Sequence, residues 1–399
     1  MLSGLRVLDL SRILAGPWCT QLLADYGADV VKIEKPAGGD DTRRWGPPFL
    51  DAADGDTVAA YFLCCNRGKR SLALDFTTAE GQDVVRRLAA ISDVLVENYL
   101  PGTLARYGLD YASLSALNPR LVYCSITGFG QDGPNAHRAG YDAMIQAEAG
   151  LMSLTGAEDG GPMKVGIAVS DIMCGMYAAT AILAALHERA RTDRGSRLDL
   201  ALFDCQVGWL ANQGMNYLVG GEAPARHGTA HPNIAPYQAF ATADGHLMLA
   251  VGNDDQFRRF CAAVGLDALA ADPRFATNAG RVAARDALVA AIAARLAQHA
   301  TQDWLRRFDE AGVPAGPVND LAQVFAHSQV AARGLRAEQI HDRWGPLPQV
   351  ANPLRRDAHP QLAPRPPPAL GQHSDEVLAE LGVDADARAA LRARGVTGA

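Results

Sequence analysis

The stretch from Gly166 to Arg189 constrains this chain most. It reads Gly-Ile-Ala-Val-Ser-Asp-Ile-Met-Cys-Gly-Met-Tyr-Ala-Ala-Thr, then an alanine-rich apolar run to His187 and Glu188. Small and apolar residues recurring at helical spacing over about five turns predict a long buried helix. Ser170 and Asp171 stand where an N-cap belongs, which makes Asp171 the first polar side chain on that helix. An aspartate at a helix start is ordinarily a cap. The functional alternative is a carboxylate kept ionised by the free N–H groups and positive end of the helix, able to attack an acyl carbon in a dry site. The preceding segment favours the second reading. Gly128-Phe-Gly-Gln-Asp-Gly-Pro, Gly140-Tyr-Asp and Gly150-Leu-Met-Ser-Leu-Thr-Gly punctuate it with glycine, the residue used where backbone turns sharply or approaches a ligand closely.

The segments before this helix alternate in type. Leu5 to Leu10 reads as a buried strand, Pro17 to Tyr26 as a helix closed by Gly27, and Asp29 to Glu34 as a second strand. Leu72 to Asp75 is extended, Ala79 to Ile91 an amphipathic helix, and Asp93 to Glu97 and Leu121 to Ile126 further strands. Arg197 to Phe203 follows as a strand, with a helix from Asp204. The pattern predicts an α/β fold with a doubly wound, Rossmann-like large domain. Beyond Gly220 the texture changes to a Gly-, Pro- and His-rich loop, a hairpin across Asp244-Gly245, and helices at Asp255 to Val264, Arg281 to His299 and Thr301 to Ala311. This predicts a smaller α+β domain over 221–325, after a large domain beginning over 1–220. The remaining segment, 326–399, is proline-rich from Gly334 onward and closes on a capped helix at Leu370-Gly-Gln-His-Ser-Asp-Glu-Val-Leu.

Composition excludes more than it selects. With 399 residues, 48% of them hydrophobic, the chain is long enough for two domains. A formal charge of -7 argues against nucleic acid or an anionic membrane as partner. No run approaches the roughly 18 uncharged apolar residues of a membrane span, and the N-terminus shows no basic region followed by an apolar stretch. Seven scattered cysteines show no zinc or redox spacing and suit a reduced cytoplasm. His227, His231 and His246 show no metal-binding spacing, so no metal is expected. The turn after the first strand, Ser11-Arg-Ile-Leu-Ala-Gly-Pro, lacks Gly-x-Gly-x-x-Gly, and Gly68-Lys69 is not in a P-loop; no nicotinamide, flavin or nucleotide hydrolysis is indicated. Instead, Arg12, Lys35, Arg43, Arg44, Arg67, Lys69, Arg70 and Arg106 fall near successive strand ends. Singly they read as solvated surface. As a set they suit an extended phosphorylated ligand such as coenzyme A.

Gly140-Tyr141-Asp142, Thr155-Gly156, Pro162 and Gly166, followed by Asp171 and Gly175, resemble the class III CoA-transferases, the family of formyl-CoA transferase and carnitine CoA-transferase. The likeness covers essentially the whole chain. It includes Asn66-Arg-Gly-Lys-Arg-Ser71, Val96-Glu-Asn-Tyr-Leu-Pro-Gly102 and Gly312-Val-Pro-Ala-Gly-Pro-Val-Asn. The resemblance implies that Asp171 is catalytic and that Ile13, Leu14 and Ala15 lie along CoA. Lys35, Lys69, Asn98, Tyr99 and Arg106 would be further CoA contacts, and Tyr141 would lie near the thioester. It also implies an interlocked homodimer in which 326–399 completes the large domain. CoA and acyl-CoA would be substrates, with no tightly bound cofactor, and a small carboxylic acid the acceptor. The Gly-Tyr-Asp and Gly-Leu-Met-Ser-Leu-Thr-Gly wording is most similar to members using succinyl-CoA and a dicarboxylate such as glutarate or malate. Arg138 and His231 are candidates for recognising a second carboxylate.

The resemblance further implies transfer through an aspartyl anhydride and an aspartyl-CoA thioester, without ATP. Two alternatives stand beside it. α-Methylacyl-CoA racemases are similar around Asp171 but carry Gly-His-Asp where this chain has Gly140-Tyr141-Asp142, which leaves their proton-transfer pair incomplete here. A non-catalytic acyl-CoA-binding protein would need neither Asp171 nor its flanking glycines.

Overall fold

The computed structural model describes residues 1–357 and 359–398; Ala358 and Ala399, both in the C-terminal stretch, lie outside the described residues. The chain divides into two compact units. One comprises Met1–Leu151, Val165–Leu218 and the stretch from Ser328 onward; the other comprises Met152–Lys164 and Val219–His327.

The first unit is built on six parallel strands: β1 (Arg6–Asp9), β2 (Asp29–Glu34), β3 (Lys69–Ala73), β4 (Val94–Glu97), β5 (Val122–Thr127) and β6 (Arg197–Ala201). Their order is β3-β2-β1-β4-β5-β6, with every neighbouring pair parallel. The order reverses between β1 and β4, and the loops leaving those two strands part there to open a crevice at their carboxyl ends. Both faces of the sheet are covered, which is why the inner strands read as continuous apolar runs. Val7, Val30, Val94 and Val122 face one core with helix α1 (Ala15–Asp25); their neighbours Leu8, Val31, Leu95 and Tyr123 face the other with helix α2 (Ala79–Ala90). Thr78 caps α2 by accepting from Gly81 N at 3.1 Å. The chain end closes the second face. Val377, Leu378, Leu391 and Val396 join that core, and Asp75 N donates to Val396 O at 2.8 Å.

The long central helix is α4 (Val169–Thr192), preceded by the short α3 (Asp142–Glu148) and followed after β6 by α5 (Leu202–Gly208). By length and composition alone α4 could cross a membrane, so the expectation that no run could do so is corrected. Cys174, Ala178, Ile182 and Ala185 are buried in the sheet's first core, as on a core helix, which passes the same test. Gly175 sets how closely it packs: a Cβ there would lie 2.5 Å from Ala15 O and 3.2 Å from Trp18 Cβ. Only glycine lets α4 approach the start of α1 this closely.

The second unit has its own core. Strands Tyr237–Ala241 and His246–Ala250 form the expected hairpin, and Ala315–Pro317 adds a third antiparallel strand. Phe257, Phe260, Leu288, Ile292, Trp304 and Phe308 pack as its centre. The single helix expected from Arg281 to His299 is two, Asn278–Ala283 and Arg285–Leu296. The first carries Arg281 inward to donate to Ala235 O and Phe275 O.

Candidate active site

A cleft of about 340 Å³ opens at the carboxyl ends of β1, β4 and β5 in the first unit. The loop after β1 supplies Arg12, Ile13, Leu14 and Ala15, and the loop after β4 supplies Asn98, Tyr99, Leu100 and Thr103. The end of β5 contributes Thr127 and Gly128; Gly140, Tyr141 and Asp171 complete the wall. Six residues named from sequence as CoA contacts (Ile13, Leu14, Ala15, Asn98, Tyr99 and Tyr141) thus line one cleft with Asp171.

Asp171 is the third residue of α4 rather than its cap, because the helix starts at Val169 behind Ala168, whose side chain cannot cap. The cap comes from outside the helix. Asp142, the first residue of α3, accepts from Ser170 N at 2.8 Å through Oδ1 and from Gln146 Nε2 at 2.6 Å through Oδ2. Gln146 Oε1 accepts from Val165 N at 2.8 Å, tying down the approach to the helix, and Ser170 Oγ donates to Gln206 Oε1 at 2.8 Å. Asp171 is therefore free of capping duty. Burial, then the charge of Asp142, pushes its carboxyl up to about 7. The sequence predicts a carboxylate held firmly ionised by the helix; the shift is the opposite because burial strips its charge of water and the neighbouring charge of Asp142, which takes the Ser170 amide, adds repulsion. Tyr61 is a further half-buried neighbour: burial first, and the charge of Asp171 next, raise its phenol's pKa.

Two glycines of the wall serve each other. A Cβ on Gly128 would fall 2.6 Å from Gly140 Cα and N, and one on Gly140 would fall 2.4 Å from Gly128 Cα. These backbones touch, which fixes where Tyr141 leaves the chain. Tyr141 is 58% exposed at the cleft. Tyr99 stands edge-on to Phe76 with ring centroids 5.7 Å apart, and the Arg12 guanidinium lies 5.2 Å over its ring.

Three expected CoA contacts lie elsewhere. Lys35 and Arg106 are exposed and do not line the cleft. Lys69 is fully buried: its Nζ donates to Asp9 Oδ2 at 3.0 Å, Asn66 Oδ1 at 2.9 Å and Pro17 O at 3.0 Å. It points into the sheet's interior because it opens β3 instead of ending a loop, and it pins the first turn of α1 from below. Of the wider basic set, Arg12 lines the cleft, whereas Arg43, Arg67 and Arg70 are corrected likewise. Arg43 forks onto Glu34 at 2.7 Å through both Nε and Nη2. Arg67 forks onto Asp25 at 2.8 and 2.6 Å, and Arg70 pairs with Asp29, Glu376 and Glu380. Asn98 lines the cleft, yet its amide is committed in both directions to Arg12, accepting from N at 2.8 Å and donating to O at 2.7 Å. Arg138 is engaged by Glu148 and stacks 4.6 Å over Phe129. In the second unit, His231 stacks on Tyr237 and accepts from Asn233 N.

Sequence reasoning missed Gln146, Gln206, Tyr61, Lys32 and Asp40, and gave Asp142 no role. Asp142 and Gln146 carried a signal in their i, i+4 spacing, and a lysine inside the apolar strand Asp29–Glu34 was another. No group of three or more His, Cys, Asp or Glu side chains that could hold a metal occurs among the described residues.

A switch-point cleft walled by glycine loops, with a buried aspartate at a helix start whose carboxyl is pushed up to about 7, is the arrangement of a site for an extended ligand. Residues 2–374 match CoA-transferase family III, and the chain belongs to that family. It is 51% identical to the succinate–glutarate CoA-transferase of Agrobacterium fabrum over 95% of each chain. It is 44% identical to the mouse succinyl-CoA:glutarate CoA-transferase, over 95% of this chain and 86% of that one. Among solved structures, a CAIB/BAIF family protein from Brucella suis superposes with a TM-score of 0.84 at 52% identity, covering 95% of this chain and 99% of that one. The chain is thus a CoA-transferase, which sets aside the racemase and the non-catalytic binding protein.

Proposed function

We propose that this enzyme moves CoA from succinyl-CoA to a free dicarboxylic acid of the glutarate type, with Asp171 as nucleophile. The named activities of its relatives support the substrates. The observation that carries the mechanism is Asp171 on the cleft wall beside the Ile13–Ala15 loop, relieved of capping by Asp142. An Asp171 oxygen attacks the succinyl thioester carbonyl, the C–S bond breaks, and CoA thiolate leaves a succinyl-aspartyl anhydride. The thiolate attacks the aspartyl carbonyl, releasing succinate and forming an aspartyl-CoA thioester. The acceptor carboxylate displaces that thiolate to give a second anhydride. Thiolate attack on the acceptor's acyl carbon then yields the new acyl-CoA and restores Asp171. Holding the carboxylate against a bound thioester makes each attack effectively intramolecular, worth up to roughly 7 to 11 kcal/mol.

In this reading Ile13, Leu14, Ala15, Asn98, Tyr99 and Tyr141 flank CoA, and the exposed Lys35 and Arg106 meet its phosphates. The large domain combines 1–220 and 326–399 around a Rossmann-like sheet, 221–325 forms the small domain, and two copies interlock as a homodimer in the cytoplasm. The test is mass spectrometry of the CoA pool, with succinyl-CoA and a panel of free acids. The native protein should yield one new acyl-CoA that names the acceptor. Asp171→Ala should yield none while still binding CoA. Transfer persisting in that variant would sink the nucleophile.

A further inference from the structure

The loop after β1 is held almost without backbone bonds. Ser11 N donates to Asp9 Oδ1 at 2.9 Å, and Ser11 O accepts from Lys32 Nζ at 2.7 Å. Asn98 takes both backbone polar atoms of Arg12. Ile13 N donates to both Asp40 oxygens at 3.3 Å, and Ile13 O accepts from Cys65 Sγ at 3.6 Å. Among the described residues, side chains from five other positions satisfy all six groups. The loop needs this restraint. Ile13 has φ +72°, a left-handed conformation that a β-branched residue occupies only when its surroundings impose it. Lys32 and Asp40 are 0% and 1% exposed and pair at 2.9 Å. Burying both charges is costly, and an apolar pair of similar size would serve the core at least as well. An explanation from packing alone is therefore weak, whereas the bonds to Ser11 O and Ile13 N are specific.

We propose that the buried Lys32–Asp40 pair positions the CoA-binding loop, holding Ser11 O and Ile13 N so that Ile13 keeps its left-handed turn against the ligand. This rests on the reading of the cleft as the CoA site. The pair touches no reacting atom, so its effect belongs in the affinity for CoA and acyl-CoA rather than in the chemical steps at Asp171.

The test variant is Lys32→Met with Asp40→Asn. It removes both charges, the Lys32 bond to Ser11 O and one of the two oxygens facing Ile13 N, but keeps an oxygen for Asp40's other partners, Thr42 N and Oγ1. The expectation is a folded protein whose Kd for CoA and KM for acyl-CoA rise about tenfold, with kcat within about threefold. Adding Ile13→Gly should recover most of the lost affinity, since glycine adopts that φ unaided. A purely structural role would lower melting temperature and kcat and leave KM alone. That outcome, or a KM within twofold of native, overturns the proposal. If the double variant does not fold, Lys32→Met alone removes the donor on Ser11 O and should raise KM about two- to threefold; an unchanged KM there overturns the proposal equally. Leu100→Trp, which narrows the cleft directly, separates the two readings. If it leaves CoA affinity intact, the cleft is not the CoA site; if it alone weakens CoA, only the positioning role fails.

Discussion

At the residue scale the decisive group is Asp171, and its environment makes two measurable claims. Its carboxyl is raised to about 7, by burial first and then by Asp142. The nucleophile is the ionised form, so kcat/KM should rise with pH through a limb near neutrality. Asp142→Asn removes the neighbouring charge while keeping an oxygen for Ser170 N, and should move that limb to lower pH; a limb that stays in place would deny the coupling. Stability follows the opposite sense. A carboxyl whose folded pKa exceeds its unfolded value favours the folded state while protonated, and that contribution is lost as pH rises from about 4 to about 7. Asp171→Asn should therefore melt above the native protein at pH 8 and close to it at pH 4. The sequence made Asp171 and the cleft-lining loops legible because they sit in unbroken motifs. It misplaced Lys69, because nothing in a linear motif tells a lysine closing a loop from one opening a buried strand. The pair of Lys32 and Asp40 was missed because two positions eight apart meet only once the chain turns back after β2.

At the scale of elements, helix α4 reaches the cleft only through Gly175. A methyl group there would meet the carbonyl of Ala15, which belongs to the cleft wall, so α4 must shift away from α1. Gly175→Ala should cost about 1–3 kcal/mol in denaturant unfolding and lower kcat more than it raises KM, because Asp171 rides on the displaced helix. An unchanged kcat would mean that α4 absorbs the methyl group elsewhere. The inner strands β1, β4 and β5 were readable in sequence because both of their faces are buried and they carry mostly apolar runs; β3 opens on Lys69 and Arg70, so only its end at Leu72 reads as extended. The ribbon of Arg336–His341 with Gly345–Val350 was not, since Pro346 and Pro348 lie in it and suggest a loop. In a two-stranded ribbon only one edge needs its N–H groups, so proline is tolerated where a central strand would reject it.

At the scale of the whole molecule, the first unit leaves large apolar side chains on its surface between Met176 and Leu218. Met176, Tyr177, Trp209, Met215 and Tyr217 are all exposed, and Leu218 is 74% exposed. Scattered apolar residues need no explanation, but Met, Trp and Tyr together are the types that interfaces favour over other surface. Charge is sparse in this stretch's last helix, Ala211–Gly220, whose sequence is Ala-Asn-Gln-Gly-Met-Asn-Tyr-Leu-Val-Gly. A helix with no charged residue on any face is a poor solvent surface and a good partner surface. Light scattering on the purified protein should give twice the chain mass at micromolar concentration. Tyr217→Glu with Leu218→Glu places two like charges where the partner would sit, and should produce monomer with at least a tenfold loss of transfer if the active assembly is the pair. A native protein that runs as a monomer and transfers CoA at full rate would remove self-association from the proposed function.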